Sequence, residues 1–239
     1  MAEHQLEPLD DDWNVGLAIV AHPDDLEYGA ASAIAKWTAA GKRIAYLLAT
    51  SGEAGMAIPP EEARPLREAE ERASAAVVGV DSVEFMGYQD GVIEPSLDLR
   101  RDLARAIRRH RPEVVIGLNF RESWGGPSFN MADHRHLGWA ILDAVRDAAN
   151  PWIFPELTGD GDEPWSGVRL ACFANSPQPT HYVDVSGEWL ELGIASLAEH
   201  RRYLEHVGTD AREMLTGFAT ATGEAVGCQH AVSFEVFRP

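Results

Sequence analysis

V-G-L-A-I-V-A-H-P-D-D-L-E-Y-G, residues Val15 to Gly29, is the stretch that decides the fold. Val15 to Ala21 is a short apolar run of the kind that forms a strand buried on both faces. His22, Pro23, Asp24 and Asp25 follow at once, and a helical pattern then runs to about Ala40. In open α/β sheets, ligands bind outside the carboxyl ends of the strands. One imidazole and two carboxylates therefore stand together where such folds do their chemistry. This is the composition of part of a zinc site with a general base beside it.

Outward from this stretch the pattern repeats. Strands are expected over about 43–50, 82–86 and 113–118, and helices over about 61–78, 97–109 and 134–149. Gly41 and Gly79 stand at helix ends, where glycine serves as a C′ residue. Further strands are expected at 168–174, 181–185 and 231–237, and helices at 188–206 and 210–218. Alternating strand and helix predicts an α/β fold, Rossmann-like, with a mostly parallel sheet and helices on both faces. Residues 1–14 read as a loose acidic lead, and residues 1–239 as one domain. The segment 119–133 is a long loop rich in Gly, Ser, Asn and Phe, a length usually associated with function or with disorder.

Composition narrows the functional classes. Asp and Glu number 38 against 20 Lys and Arg, a formal charge of -18. Such a chain repels phosphate backbones and anionic lipid surfaces, which argues against nucleic-acid and membrane partners. No apolar run reaches the ~18 residues of a membrane span. The polar N-terminus lacks the pattern of a secretory signal, so a cytoplasmic location is the expectation. The two cysteines, Cys172 and Cys228, give neither a disulfide framework nor a Cys-rich metal site. Any metal must rely on histidine and carboxylate.

His22 and Asp25 are three residues apart at a strand-to-helix turn and can converge on one ion. A third ligand must come from elsewhere. His134, in N-M-A-D-H-R-H-L-G, is the best candidate, because it closes the long loop after the fourth strand. Asp24 is then the natural general base, since metal lowers the pKa of water toward ~7. A plainer reading stands beside this one. Asp24 and Glu27 match a capping box, Asp25 suits the helix dipole, and Asp133 can cap the helix that His134 begins.

A-H-P-D-D-L-E-Y-G resembles the signature of the PIG-L/LmbE-like zinc deacetylases. T-S-G-E-A-G (Thr50 to Gly55), L-R-E-A-E (Leu66 to Glu70), G-Y-Q-D-G (Gly87 to Gly91) and A-D-H-R-H-L-G resemble further motifs of that family, in the same order. The resemblance implies that His22, Asp25 and His134 bind Zn2+ or another divalent ion, and that Asp24 is the general base. It implies that Arg67 faces the substrate, whereas its plain reading is a surface helix arginine. Glu53 and Asp90 are candidates for the pocket lining, with turn residues as the plain reading. The implied activity is removal of an N-acyl group, the acetyl group above all, from an amino sugar or its conjugate. The implied small-molecule partner is accompanied by assembly into homo-oligomers.

One position departs from the family pattern. The second histidine motif usually reads His-x-Asp-His, and its first histidine is held to stabilise the oxyanion or act as acid. Met131 stands there and can donate no strong hydrogen bond. Losing one oxyanion donor typically costs ~10²–10³ in rate. His230, His181 and His136 are the candidate replacements. A catalytically weak or silent ligand-binding protein of the same fold is the alternative to an enzyme. A phospho-receiver domain fits poorly, because the third strand ends in Glu84-Phe85-Met86-Gly87 with no acceptor aspartate.

Overall fold

A computed structural model describes residues 5–239. The elements are β1 (Glu7–Pro8), β2 (Val15–Val20), α1 (Asp25–Gly29), α2 (Ala31–Ala39), β3 (Arg43–Leu48), α3 (Pro60–Val77) and β4 (Ser82–Phe85). Next come α4 (Leu97–His110), β5 (Val114–Leu118), β6 (Ser123–Gly125), β7 (Ser128–Phe129), α5 (Ala132–Ala149) and α6 (Pro155–Gly159). The chain ends with β8 (Leu170–Ala174), β9 (His181–Asp184), α7 (Glu188–Leu197), α8 (Arg201–Val207), α9 (Ala211–Val226) and β10 (Ala231–Phe237).

Eight strands form one sheet in the order β1-β9-β10-β8-β5-β2-β3-β4. β2 lies inside it, parallel to β3 and to β5, with Ala18 opposite Tyr46 on one side and Ile116 on the other. The continuous apolar run of β2 follows from this position. Ala18 and Val20 pack with Ile34 and Trp37 of α2 on one face. Leu17 and Ile19 pack with Leu103 and Ile107 of α4 and Ile141 of α5 on the other. Alternate side chains thus serve two cores, as period two requires. β10 runs antiparallel to both β8 and β9, which extends the sheet. The α/β single-domain architecture with helices on both faces is as expected.

Four local expectations are corrected. The helix over 24–40 is two helices, because Ala30, at φ −128°, leaves the helical region between α1 and α2. Gly29 there lies so close to β5 and β8 that a Cβ would stand 3.0 Å from Leu118 and from Ala174. The helix over 188–206 also breaks, between α7 and α8, where His200 turns fully inside. Residues 5–14 are not a loose lead, since β1 pairs with β9 and Trp13 packs edge-on against Trp37 at 5.2 Å; residues 1–4 of that lead lie outside the described residues. Last, the loop over 119–133 carries the small β6–β7 hairpin. Among the described residues no helix is long and apolar enough to cross a membrane.

Candidate active site

At the end of β2 the chain turns sharply, and Asp24 takes a left-handed conformation with φ 86°. Asp25 then opens α1. Its Oδ2 accepts from the backbone N–H groups of Ala21 (3.1 Å) and His22 (2.9 Å), which leaves Oδ1 facing outward. Because β5 is the neighbour of β2, the connection from β5 to α5 passes over the same edge. It brings His134, in the first turn of α5, to 3.0 Å between Nε2 and Asp25 Oδ1. His22 Nδ1 lies 3.2 Å from the same Nε2.

The neighbours of each ring fix its tautomer. Asn130 Nδ2 donates to the carbonyls of Asn119 and Arg121, so Asn130 Oδ1 is an acceptor and His134 Nδ1 donates to it at 2.9 Å. His22 Nε2 faces only carboxylates, Asp90 Oδ1 at 3.1 Å and Asp133 Oδ2 at 3.3 Å, and donates there. In the neutral rings the remaining nitrogens, His22 Nδ1 and His134 Nε2, are lone pairs aimed at one point, with Asp25 Oδ1 beside them. Three acceptor atoms that converge in this way fit a divalent cation, with outer hydrogen bonds of the kind that orient metal ligands. Burial opposes charge on His22, but Asp25, Asp133 and Asp90 raise its pKa well above the usual value; the same carboxylates would favour a bound cation in place of that proton.

The two adjacent aspartates sit in opposed environments. Burial raises the Asp25 carboxyl, yet His134 and His22 outweigh it and hold the group well below the usual range. Burial pushes Asp24 up to about 6, against the pull of Arg67. Asp24 Oδ1 is 3.4 Å from Arg67 Nη2, and Asp24 Oδ2 is buried without a partner. Neighbouring carboxylates driven apart in pKa are a mark of acid–base sites. The capping readings are corrected. Asp24 makes no side-chain cap, and Glu27 accepts instead from Ser74 Oγ at 2.7 Å. Met131, not Asp133, is the N-cap of α5, while Asp133 accepts from the N–H groups of Gly91 and Ile93.

The plain reading of Arg67 as a surface arginine is corrected too. Arg67 is buried rather than on the surface, donates to Pro23 O at 2.6 Å and stacks on the Tyr203 ring at 3.7 Å. Gly52, at φ +62°, makes room for it: a Cβ there would meet Arg67 Nε at 3.0 Å. A cavity of about 740 Å³ opens above these groups, with His22, Asp24, Asp25, Asp90, Arg67 and His134 at its polar end. Glu53 does not line it. Its carboxylate accepts from Ser51 N and pairs with Arg64, the turn role foreseen for it. Met131 lines the cavity, but none of the three candidate replacements does. His136 contacts Ile93 O at 2.6 Å, His181 contacts Thr180 Oγ1 at 2.8 Å, and His230 lies by Ser186 at the start of β10. Sequence reasoning missed Asn130, Asp133 and Tyr203 as parts of the site. Asn130 precedes the N-cap of α5, so no helix periodicity pointed to it.

The family model described as PIG-L, GlcNAc-PI de-N-acetylase, matches residues 17–145, more than half of the chain. A diacetylchitobiose deacetylase of Thermococcus kodakarensis is 29% identical over 197 residues, covering 81% of this chain and 71% of that one. A 1D-myo-inositol 2-acetamido-2-deoxy-alpha-D-glucopyranoside deacetylase of Thermobispora bispora is 28% identical, covering 68% of this chain and 59% of that one. Among solved structures, the N,N'-diacetylchitobiose deacetylase from Pyrococcus horikoshii, complexed with an inhibitor, superposes with a TM-score of 0.84. That match has 23% identity and covers 95% of this chain and 85% of that one.

Proposed function

The chain belongs to the PIG-L family, and from that premise we propose that it is a metal-dependent N-deacetylase acting on an acetylated amino sugar. One observation carries the reading. His22 Nδ1, His134 Nε2 and Asp25 Oδ1 converge beside Asp24, whose Oδ2 has no partner of its own. His22, Asp25 and His134 would hold the ion, and zinc suits their nitrogen and oxygen donors. A divalent ion so placed polarises a carbonyl and acidifies water.

The chain's own residues account for the rest. Asp24 Oδ2 accepts a proton from the attacking water, and the same carboxyl returns it to the departing amine. Water and amide thereby become carboxylic acid and amine, and the acid's proton passes to the amine, so that the products are carboxylate and ammonium. Arg67 favours the ionised form of Asp24, so the base is available although it is buried. Asn130 and Asp133 keep the two imidazoles turned toward Asp25. Asp90 and Arg67 stand at the polar end of the cavity, where they can accept from and donate to sugar hydroxyls.

Metal content and amine release test this together. Wild type is expected to carry about one zinc per chain in this site and to release amine from N-acetylglucosamine or diacetylchitobiose. His134→Ala should lose the ion. Asp24→Asn should keep it and lose ~10²–10⁴ in rate. Wild type that binds no divalent ion after loading refutes the ligand assignment. Met131 favours a second reading, ligand binding without turnover; an intact metal site that hydrolyses none of a panel of N-acyl amino sugars selects it.

A further inference from the structure

Behind the Asp24 turn lies a second group of ligand-type side chains, which the proposed hydrolysis does not use. Glu27 of α1, Glu71 of α3 and His200 at the break between α7 and α8 meet inside the protein. None of the three lines the cavity, and their side chains are at most 1% exposed. Each carboxylate has one oxygen already held. Glu27 Oε1 accepts from Ser74 Oγ at 2.7 Å, and Glu71 Oε2 accepts from the N–H of Asp24 at 3.2 Å. Glu27 Oε2, Glu71 Oε1 and both ring nitrogens of His200 have no partner among the described residues. Tyr46 adds a hydroxyl that is also buried and without a partner, in the field of both carboxylates. Buried polar atoms are nearly always satisfied, so a cluster of exceptions at one point calls for a missing partner.

The distances say what kind of partner. His200 Nε2 lies 3.7 Å from Glu27 Oε2 and 3.6 Å from Glu71 Oε2. Both separations are too long for a hydrogen bond. Both are close to the ~3.3–3.5 Å between ligand atoms around a tetrahedral ion whose bonds are ~2.0–2.2 Å. The cavity site has comparable spacing, with His134 Nε2 3.0 Å from Asp25 Oδ1 and 3.2 Å from His22 Nδ1. Two carboxylates and a neutral imidazole carry two negative charges, which a divalent ion balances. Imidazole among the donors favours transition ions over calcium and magnesium. A site closed to solvent on every side matches a structural ion, since a catalytic one keeps a position open. We infer that Glu27, Glu71 and His200 form a second, structural site for a divalent transition ion such as zinc. The ion would join α1, α3 and the α7–α8 junction, the segments that carry Asp25, Arg67 and Tyr203.

Metal content in a His134→Ala background tests this, because that substitution removes a proposed ligand of the cavity site and leaves the buried site untouched. The chain is produced with zinc, desalted, and its ions are counted by native mass spectrometry. His134→Ala should retain about one zinc per chain, and adding either Glu27→Gln or His200→Gln should remove it. Cobalt in place of zinc should give the visible absorption of a tetrahedral site in His134→Ala and lose it in the double variants. Stability gives a readout that does not depend on counting ions. In the metal-free protein, Glu71→Gln relieves two buried carboxyl groups of each other and should raise the thermal midpoint. In the zinc-loaded protein the same change removes a ligand and should lower the midpoint below that of His134→Ala alone, because an ion that binds only the folded chain stabilises it. A His134→Ala protein without zinc overturns the inference. So does zinc that survives both Glu27→Gln and His200→Gln, or a Glu71→Gln effect of the same sign with and without metal.

Discussion

Asn130→Ala separates the metal geometry from the packing that supports it. Asn130 is fully buried and spends both ends of its amide. Nδ2 donates to Asn119 O at 2.8 Å and to Arg121 O at 3.0 Å. Oδ1 accepts from Met131 N and from His134 Nδ1, each at 2.9 Å. At a net ~0.5–1.5 kcal/mol for each hydrogen bond, losing four removes about 2–6 kcal/mol. In a chain of this size each kcal/mol moves the thermal midpoint by about 2–4 °C. The metal effect is separate. Without Oδ1 to take the Nδ1 proton, the His134 ring is free to turn or to protonate Nε2, and outer partners of this kind are worth ~10–100-fold in metal affinity. The assay is zinc affinity by chelator competition, alongside thermal unfolding of the metal-free protein. Both should fall. A lower midpoint with zinc affinity within about twofold of wild type would refute the tautomer argument and leave Asn130 with a structural role only.

Three further outcomes are expected. Gly138→Ala should destabilise by about 1–3 kcal/mol or more in chemical denaturation, because the new Cβ would lie 2.1 Å from Phe120 Cβ, which cannot swing away. Glu71→Gln should stabilise the fold at pH 8 and do so less at pH 4.5. Burial, then Glu27, raises the folded-state pKa of Glu71 well above 4.5, so wild type loses stability as pH rises from the unfolded-state value toward the folded one; a uniform effect across that range would contradict this. In native protein at pH 8, a thiol reagent should modify Cys228 and spare Cys172, which is buried with its thiol pushed up to about 12; both should react in denaturant.

What could be read from the sequence was local. β2 was legible because burial on both faces writes an unbroken apolar run, and His22, Asp24 and Asp25 follow it directly. His134 was legible as a candidate because a loop that follows a strand must reach the same edge of the sheet. The partners of these residues were not legible, since they meet only in space. Tyr203 stacks on Arg67 from a helix near the far end of the chain. Glu71 and Glu27 lie 3.6 and 3.7 Å from His200, in a buried cluster that no spacing announces. The capping box failed for a related reason. Asp24 and Glu27 have the right spacing, but both are drawn toward α3, and a local pattern holds only when no stronger partner lies nearby.

The α3 partners also account for the conformation of Asp24. A left-handed non-glycine residue costs on the order of 1–3 kcal/mol and persists only where its surroundings enforce it. Here they act on a single peptide group. Arg67 donates to the carbonyl of Pro23 at 2.6 Å, and Glu71 Oε2 accepts from the N–H of Asp24 at 3.2 Å, so both ends of the Pro23–Asp24 peptide are held. Arg67 and Glu71 are one helical turn apart on the buried face of α3. With that peptide fixed, Asp24 cannot rotate to cap α1, and its carboxylate stays beside Arg67 with Oδ2 unpartnered. Asp25, the next residue, is anchored in turn by the N–H groups of Ala21 and His22 and directs its other oxygen to His134. A strained turn held from α3 thus gives two consecutive aspartates different partners, which is how adjacent and chemically identical side chains can serve as base and as ligand.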